Sequence, residues 1–240
     1  MTPRSAPPSP VPSHRPRVLI TSGPGSEPID AVRRITNHST GELGARLAAV
    51  FAERGCEVIC LEGRGATHAW DPGLVDRRLF LTNDDLLSAL STLAQEGPAP
   101  TLVLHAAALC DYRVARIEDA DGAAVGGGKL DSRAGGLRLH LEPAIKVISR
   151  LRALFPASLL VGWKYETEGS AERAIARGEA QLAANDTDAC VVNGPALGPG
   201  FALITPRGDL VAAPTREALA TELAAWLART PARAAALSLP

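Results

Sequence analysis

No stretch of this 240-residue chain approaches the ~18 consecutive apolar residues of a membrane-spanning helix, so no membrane partner is expected. Residues 1–16 are rich in Pro and Ser and lack the apolar run of about 7–15 residues that a secretory signal needs. They read as a disordered tail, unable to bury enough surface to order itself, and a cytoplasmic location is expected. An excess of charge is also missing. Lys and Arg number 25 against 26 Asp and Glu, a net charge of -1, which gives no argument for a nucleic-acid partner. The four cysteines, Cys56, Cys60, Cys110 and Cys190, form no CxxC pair, and no His cluster completes a zinc spacing. Three of them stand in apolar, strand-like runs, as small buried thiols in a reducing compartment do. Finally, there is neither a Walker lysine nor a compact GxGxxG, so both standard nucleotide fingerprints are absent.

What is present is an alternation of short apolar runs with helical periodicity. A hydrophobic fraction of 46% and a charged fraction of 21% are those of a soluble globular protein long enough to bury a core. Order begins with the apolar run at 17–21, closed by Ser22-Gly23-Pro24-Gly25. Residues 42–54 repeat apolar side chains at helical spacing (Leu43, Leu47, Val50, Phe51), Gly55 stops the helix, and 56–61 is a second strand. Further strands are expected at 76–81, 101–106, 137–141, 158–163 and 188–193, with helices from Asn83 to about 93, from Pro143 to about 154, and over 171–184. A hairpin over 201–205 and 209–211, then a helix over 216–228, complete the pattern. One domain over residues 17–230 is expected, with a C-terminal tail at 231–240. The fold class is α/β: a Rossmann-like, doubly wound, mainly parallel sheet, with an arm or hairpin extending over 119–141.

In such sheets ligands sit beyond the carboxyl ends of the strands, which nominates the loops after Ile20, His105, Val161 and Val192. The first holds the densest set of special residues. Gly23 and Gly25 permit close backbone approach. Ser39, Thr40 and Gly41 precede a helix, where free N–H groups favour an anion, although a plain helix cap fits equally. Asn37 offers a donor and an acceptor without charge, to hold a carbonyl or oxyanion or simply to make a turn. Glu27 and Asp30 are candidates for a metal or a substrate hydroxyl, or for stabilising the loop; no metal ligands are assigned.

The string GPGSEPIDAVRRITNHSTGELG resembles the opening signature of the phosphopantothenoylcysteine synthetase family, with its EPID-x-VR-x-ITN-x-S-x-G core. AAALCDYRV, GKLDS, LEPAIKVI, VGWKYETEG and DACVVNG come after it in the family's order, so the resemblance spans about residues 17–227. It implies a ligase joining 4′-phosphopantothenate to cysteine, a step of coenzyme A biosynthesis. The carboxylate attacks the α-phosphate of CTP or ATP, and cysteine then displaces the nucleoside monophosphate from the acyl-nucleotide. Mg2+ would neutralise the polyphosphate. Asn37 would bind the acyl-nucleotide and assist its reaction with cysteine, with Arg33 beside it on the substrate. Lys129 would bring charge to the phosphates, though a lone Lys in a Gly-rich loop is ordinarily solvated. Gly23, Gly25, Ser39, Gly41, Ala107, Ala108, Asp111 and Asn193 would line the nucleotide pocket, and Trp163 would pack on the base or stay a core aromatic.

The resemblance also implies a homodimer joined through the arm, with small-molecule substrates as the other partners. The decarboxylase half of many relatives is not expected here, and with it no flavin. The chain departs from the family at Gly194, where Asp is usual, and at Gln181 and Asn185, where lysines are frequent, leaving Arg173 or Arg177 to supply charge. Those departures keep open a diverged, non-catalytic nucleotide-binding homologue. The β-loop-α-β opening alone also allows an NAD(P)-dependent reductase.

Overall fold

The computed structural model describes residues 15–230 except 127, 132 and 134; the terminal tails expected over 1–16 and 231–240 lie outside the described residues, apart from Arg15 and Pro16. β1 (Arg17–Ser22) leads into a small hairpin, β2 (Ser26–Pro28) and β3 (Arg34–Thr36), and then α1 (Glu42–Glu53). β4 (Glu57–Gly63) passes without a helix to β5 (Val75–Phe80), followed by α2 (Asn83–Gln95) and β6 (Leu102–His105). A second hairpin, β7 (Tyr112–Glu118) and β8 (Arg138–Pro143), precedes α3 (Ile148–Leu154), β9 (Leu159–Tyr165) and α4 (Ala171–Asn185). β10 (Ala189–Asn193), β11 (Phe201–Ile204), β12 (Leu210–Ala213) and α5 (Arg216–Arg229) complete the chain.

Eight strands form one sheet in the order β12-β11-β10-β9-β6-β1-β4-β5, parallel from β10 to β5, with β11 and β12 added antiparallel. The expected doubly wound α/β fold is therefore present. From β1 the chain steps outward to β4 and β5, then returns to β6 on the other side of β1. That reversal opens a crevice at the carboxyl ends of β1 and β6.

Strand residues of alternate parity serve the two faces. Val18, Ile20, Val58 and Cys60 pack with Leu47 and Phe51 of α1 and Leu219 and Leu223 of α5. Leu19, Ile59, Leu61, Val103 and Leu160 face Leu86 and Leu90 of α2 and Leu151 and Phe155 around α3. Ala174 and Leu182 of α4 cover Cys190, Val192 and Ile204. Because both faces are covered, the central strands are apolar without interruption, which is why they were plain in the sequence. Burial pushes the Cys60 and Cys190 thiols up to about 12, and all four cysteines are unpaired.

The structure differs from expectation in four local respects, the first being that the arm begins earlier, with strand β7 from Tyr112 where no strand was expected. The long first loop contains the β2–β3 hairpin, whose strands of three residues are too short to show a period. Thr82, not Asn83, caps α2: its hydroxyl accepts from Asp85 N–H while the Asp85 carboxylate returns to the Thr82 N–H. Pro143 ends β8 rather than opening a helix, and α3 begins at Ile148.

Candidate functional site

Beyond the carboxyl end of β1 the sheet continues as a ladder between two loops. Ala106 N–H donates to Thr21 O (3.0 Å), Ala108 N–H to Gly23 O (2.9 Å), and Gly25 N–H back to Ala108 O (3.0 Å). Gly23 holds φ +72, and a Cβ on the neighbouring Gly63 would come within 2.8 Å of the Pro24 carbonyl carbon, so this junction needs glycine. Thr36 Oγ1 donates to Gly25 O (2.8 Å), and the Asn37 amide donates to Leu109 O at 2.7 Å. Asn37 is thus oriented by the loop after β6, with the rest of the side chain at the surface. Underneath, Asn83 is 2% exposed and its amide donates to Cys110 O (2.8 Å) and Ile145 O (3.2 Å), fixing the segment that orients Asn37. His105 lies at the end of β6, its Nδ1 2.8 Å from Thr21 Oγ1; burial pushes it down to about 4, so the ring is a neutral strut.

Between β3 and the β4–β5 connection lies a cleft of about 460 Å³, lined among others by Arg34, Asn37, His38, Ser39, Thr40 and Arg64. That volume falls in the ~300–1,000 Å³ range of small-molecule sites. α1 starts at its floor. Gly41 is the N-cap, at φ +80, with no side-chain cap, while Thr40 Oγ1 accepts only from Glu42 N–H at 3.3 Å. Among the described residues the helix end therefore keeps N–H groups without side-chain partners, next to Ser39. The outer wall rests on Glu62, a fully buried carboxylate. It accepts from Trp70 Nε1 (3.2 Å) and Arg77 Nε (2.7 Å), and Arg77 stacks over the Trp70 ring. Thr67 and His68 N–H groups both donate to Thr40 O (3.1 and 2.9 Å), closing the wall onto the α1 approach.

Not every expected site residue meets there. The segment of Lys129 docks on the β2–β3 turn instead: Gly128 O accepts from Ala31 N–H (3.3 Å), and Leu130 N–H donates to Asp30 Oδ2 (3.1 Å). Lys129 itself is exposed and is separated from Asn37 by the length of β3. Arg33 is engaged with Asp30 (2.5 Å) and Leu130 O (3.3 Å). Burial acts to raise the Asp30 carboxyl, but N–H groups of Val32, Arg33 and Leu130 and the Arg33 guanidinium outweigh it and hold it at about 2. Glu27 accepts from Asn83 N–H (3.3 Å) and is raised by burial. Both acids thus brace the loop, and among the described residues no group of three His, Cys, Asp or Glu is placed to hold a metal ion.

Asp111 pairs with Lys146, and Ala107 N–H donates to Thr21 Oγ1 (3.3 Å). Trp163 is half-buried against the core on the α1 and α5 side, with its indole N–H buried and without a partner among the described residues. At the end of β9, Glu166 sits between Lys164 (3.1 Å) and Arg177, so Arg177 is already paired. Gly194 comes directly after Asn193 at φ +116, and a Cβ there would lie 2.9 Å from Glu166 N. A side chain at this position would thus crowd the Glu166 backbone. Gln181 donates to Trp163 O (3.1 Å), and Asn185 ends α4 at the amino-terminal edge of β10.

Arg34, His38 and Arg64 were not among the residues expected from the sequence. The strand-end rule would have found Arg64, which stands immediately after Gly63 at the end of β4; Arg34 and His38 lie within the signature string, flanking its ITN core.

Comparison with known proteins bears on this arrangement. The family described as DNA/pantothenate metabolism flavoprotein C-terminal domain matches residues 14–223. The coenzyme A biosynthesis bifunctional protein CoaBC of Thermococcus kodakarensis is 33% identical over 178 residues, covering 74% of this chain and 41% of that protein. The chain thus spans well under half the length of that curated relative. A crystal structure of the C-terminal domain of a CoaBC protein is 25% identical, with a TM-score of 0.68 over 88% of this chain and 93% of that one. A Cab2 mutant in complex with phosphopantothenate-cysteine shares the fold, at 18% identity and a TM-score of 0.71 over 93% and 89% of the two chains.

Proposed function

We propose that this chain, which belongs to the DNA/pantothenate metabolism flavoprotein C-terminal domain family, joins 4′-phosphopantothenate to cysteine through an acyl-nucleotide, a step of coenzyme A biosynthesis. One observation carries the reading. Asn37 stands at the mouth of the β1–β6 crevice with its amide held on Leu109 O, beside the uncapped start of α1. A carboxylate must be activated before an amine can displace a leaving group from it, and a nucleotidyl group is such a leaving group. A crevice with a neutral amide at one side and N–H groups and cations at the other suits an acyl-phosphate anhydride. Asn37 would hold the acyl oxygen without adding charge, and Ser39, Gly41 and the Gly23–Gly25 turn would receive phosphate oxygens. Ala107 and Ala108 leave room for the nucleotide, whose base would reach toward Trp163 and Asn193.

Mg2+ would enter on the phosphate oxygens of CTP or ATP, supplying charge neutralisation there; no residue of this chain is assigned to it. Lys129, which the docked 128–130 segment and Arg33 hold apart from Asn37, would meet the phosphates at a site near the subunit boundary.

Residues 17–230 would act as one unit, and two copies would pair through the arm. Leu139 and Leu141 share one face of β8 and are 40% and 48% exposed, next to Leu137 at 40%. An apolar stripe on a two-stranded arm is best covered by its own copy. Leu141→Lys would then shift the mass measured by light scattering from dimer to monomer, and a wild-type monomer would refute the pairing. For the activity, the protein is incubated with 4′-phosphopantothenate, cysteine, Mg2+, and CTP or ATP separately. Phosphopantothenoylcysteine with nucleoside monophosphate and pyrophosphate is the expected product set, and absence of product with both nucleotides overturns the reading.

A further inference from the structure

We infer that the cleft between β3 and the β4–β5 connection is a subsite for the phosphate-bearing end of a substrate, with Arg34 and Arg64 as its two cations. The inference deepens the ligase reading and rests on it for the identity of the substrate. The chain as a whole has 25 basic and 26 acidic residues, yet the cleft lining contains two arginines and a histidine and no Asp or Glu. Neighbouring arginines are neutralised within the fold: Arg33 by Asp30, Arg77 by Glu62 and Arg46 by Glu42. The Arg34 and Arg64 side chains make no hydrogen bond or ion pair among the described residues. Two like charges facing one cleft repel, and a bound anion relieves that repulsion. A guanidinium meets phosphate oxygens with two parallel N–H donors, and Asn37, Ser39 and Thr40 add neutral donors along the same wall.

The root of Arg64 is rigid, as a recognition residue requires. Its N–H donates to Phe80 O (2.9 Å), Ala66 N–H closes a turn on Gly63 O (2.9 Å), and the Glu62–Trp70–Arg77 cluster anchors the chain leading into β5. Gly63 cannot be replaced without striking Pro24, so the Gly63-Arg64-Gly65 segment has one path past the β1 loop. Arg34 projects from β3, three residues before Asn37.

Phosphate of two kinds fits this chemistry: the polyphosphate of a nucleoside triphosphate and the phosphate monoester of phosphopantothenate. Titration calorimetry of the full chain with inorganic pyrophosphate, and separately with 4′-phosphopantothenate, distinguishes them. Arg64→Gln and Arg34→Gln are each expected to weaken one of these ligands by ~10-fold, with Arg64→Lys in between. Loss of pyrophosphate affinity assigns the cleft to the nucleotide, and loss of phosphopantothenate affinity assigns it to the acyl substrate. Both arginines are on the surface, so the variants should keep the parent thermal midpoint, and the Lys variant remains a test if a Gln variant does not. Unchanged affinity for both ligands in the double Gln variant overturns the inference. A wild-type protein that forms no ligation product but binds pyrophosphate through Arg64 refutes the ligase reading alone. One that forms product while the variants bind as the parent does refutes the subsite alone.

Discussion

The loops at the ends of β1 and β4 and those at the ends of β9 and β10 sit on the same edge of one sheet but treat charge in opposite ways. In the first set, Arg34 and Arg64 face a cleft without a carboxylate, and the acids nearby are turned to other partners. In the second, Glu166 is 6% exposed and lies between Lys164 and Arg177, so both cations are held on one buried carboxylate. The first region holds its backbone with glycine, main-chain ladders and the neutral side chains of Thr36, Asn37 and Asn83, and leaves its two cations open. The second ties its charged side chains to one another above a main-chain ladder of its own, from Glu166 N–H to Asn193 O and from Ala196 N–H to Glu166 O. A region of the first kind suits binding, and one of the second kind suits support.

The largest effect that would break this contrast is at Asn37. Asn37→Asp replaces the donor on Leu109 O with a carboxylate facing a carbonyl, and sets negative charge where acyl and phosphate oxygens would lie. Acyl transfer to cysteine is expected to fall by ~10²–10³-fold, as on loss of an oxyanion donor. Nucleotide-dependent pyrophosphate release should fall less. Quench-flow separation of the two steps checks it, and equal losses in both would remove the special role of Asn37 in transfer.

Acid separates the two regions next. His105, held at about 4 by burial against an ordinary 6.5, binds fewer protons folded than unfolded between those values. Its contribution is complete above pH 6.5 and is lost as pH falls through about 4, up to about 3 kcal/mol at full extent. For Glu166, burial acts to raise the carboxyl, but Arg177 and Lys164 outweigh it and hold it below its ordinary 4.5. That contribution is complete above 4.5 and disappears only at lower pH. Urea unfolding across pH should therefore show His105→Asn flattening the limb from 6.5 to 4, while Glu166→Gln flattens the limb below it. If both variants flatten the same limb, the two regions do not differ in this way.

Much of the fold was legible because its strands are buried on both faces and read as unbroken apolar runs such as 102–104. The β2–β3 hairpin was not, since its pairing is decided by Ser26, Glu27 and Ile35 meeting partners across a turn rather than by any repeat. The signature string pointed to Asn37 and Ser39 and the structure brings both to one cleft, whereas Lys129 docks elsewhere through main-chain bonds that no side-chain pattern encodes. Asn83 looked like a cap and is instead a buried strut, because burial depends on chain segments 27 and 62 residues away. Gly194 carried the same lesson: as a missing acid it suggested a weakened site, but its φ of +116 and its contact with Glu166 make it a backbone requirement. Restoring the family's residue by Gly194→Asp should cost about 2 kcal/mol through positive-φ strain and crowding. Parent-like stability in urea would mean that the β9 and β10 loops do not pack so closely.

The smallest expected effect concerns the other departure. Asn185 is the last residue of α4, and its amide donates to Gln181 O at 2.8 Å. Because α4 runs antiparallel to the strands it connects, this end lies at the amino-terminal edge of the sheet. Asn193, at the carboxyl edge, is reached only after the five residues of β10, roughly 17 Å of strand. A lysine at 185 would therefore not reach phosphates bound at the carboxyl ends from within this chain. Asn185→Lys should add ~0.3–0.5 kcal/mol by placing a cation at a helix C-terminus, with nucleotide affinity unchanged within about twofold. A clear gain in affinity would show that the second region takes part in phosphate binding after all, and would remove the division between a binding edge and a supporting one.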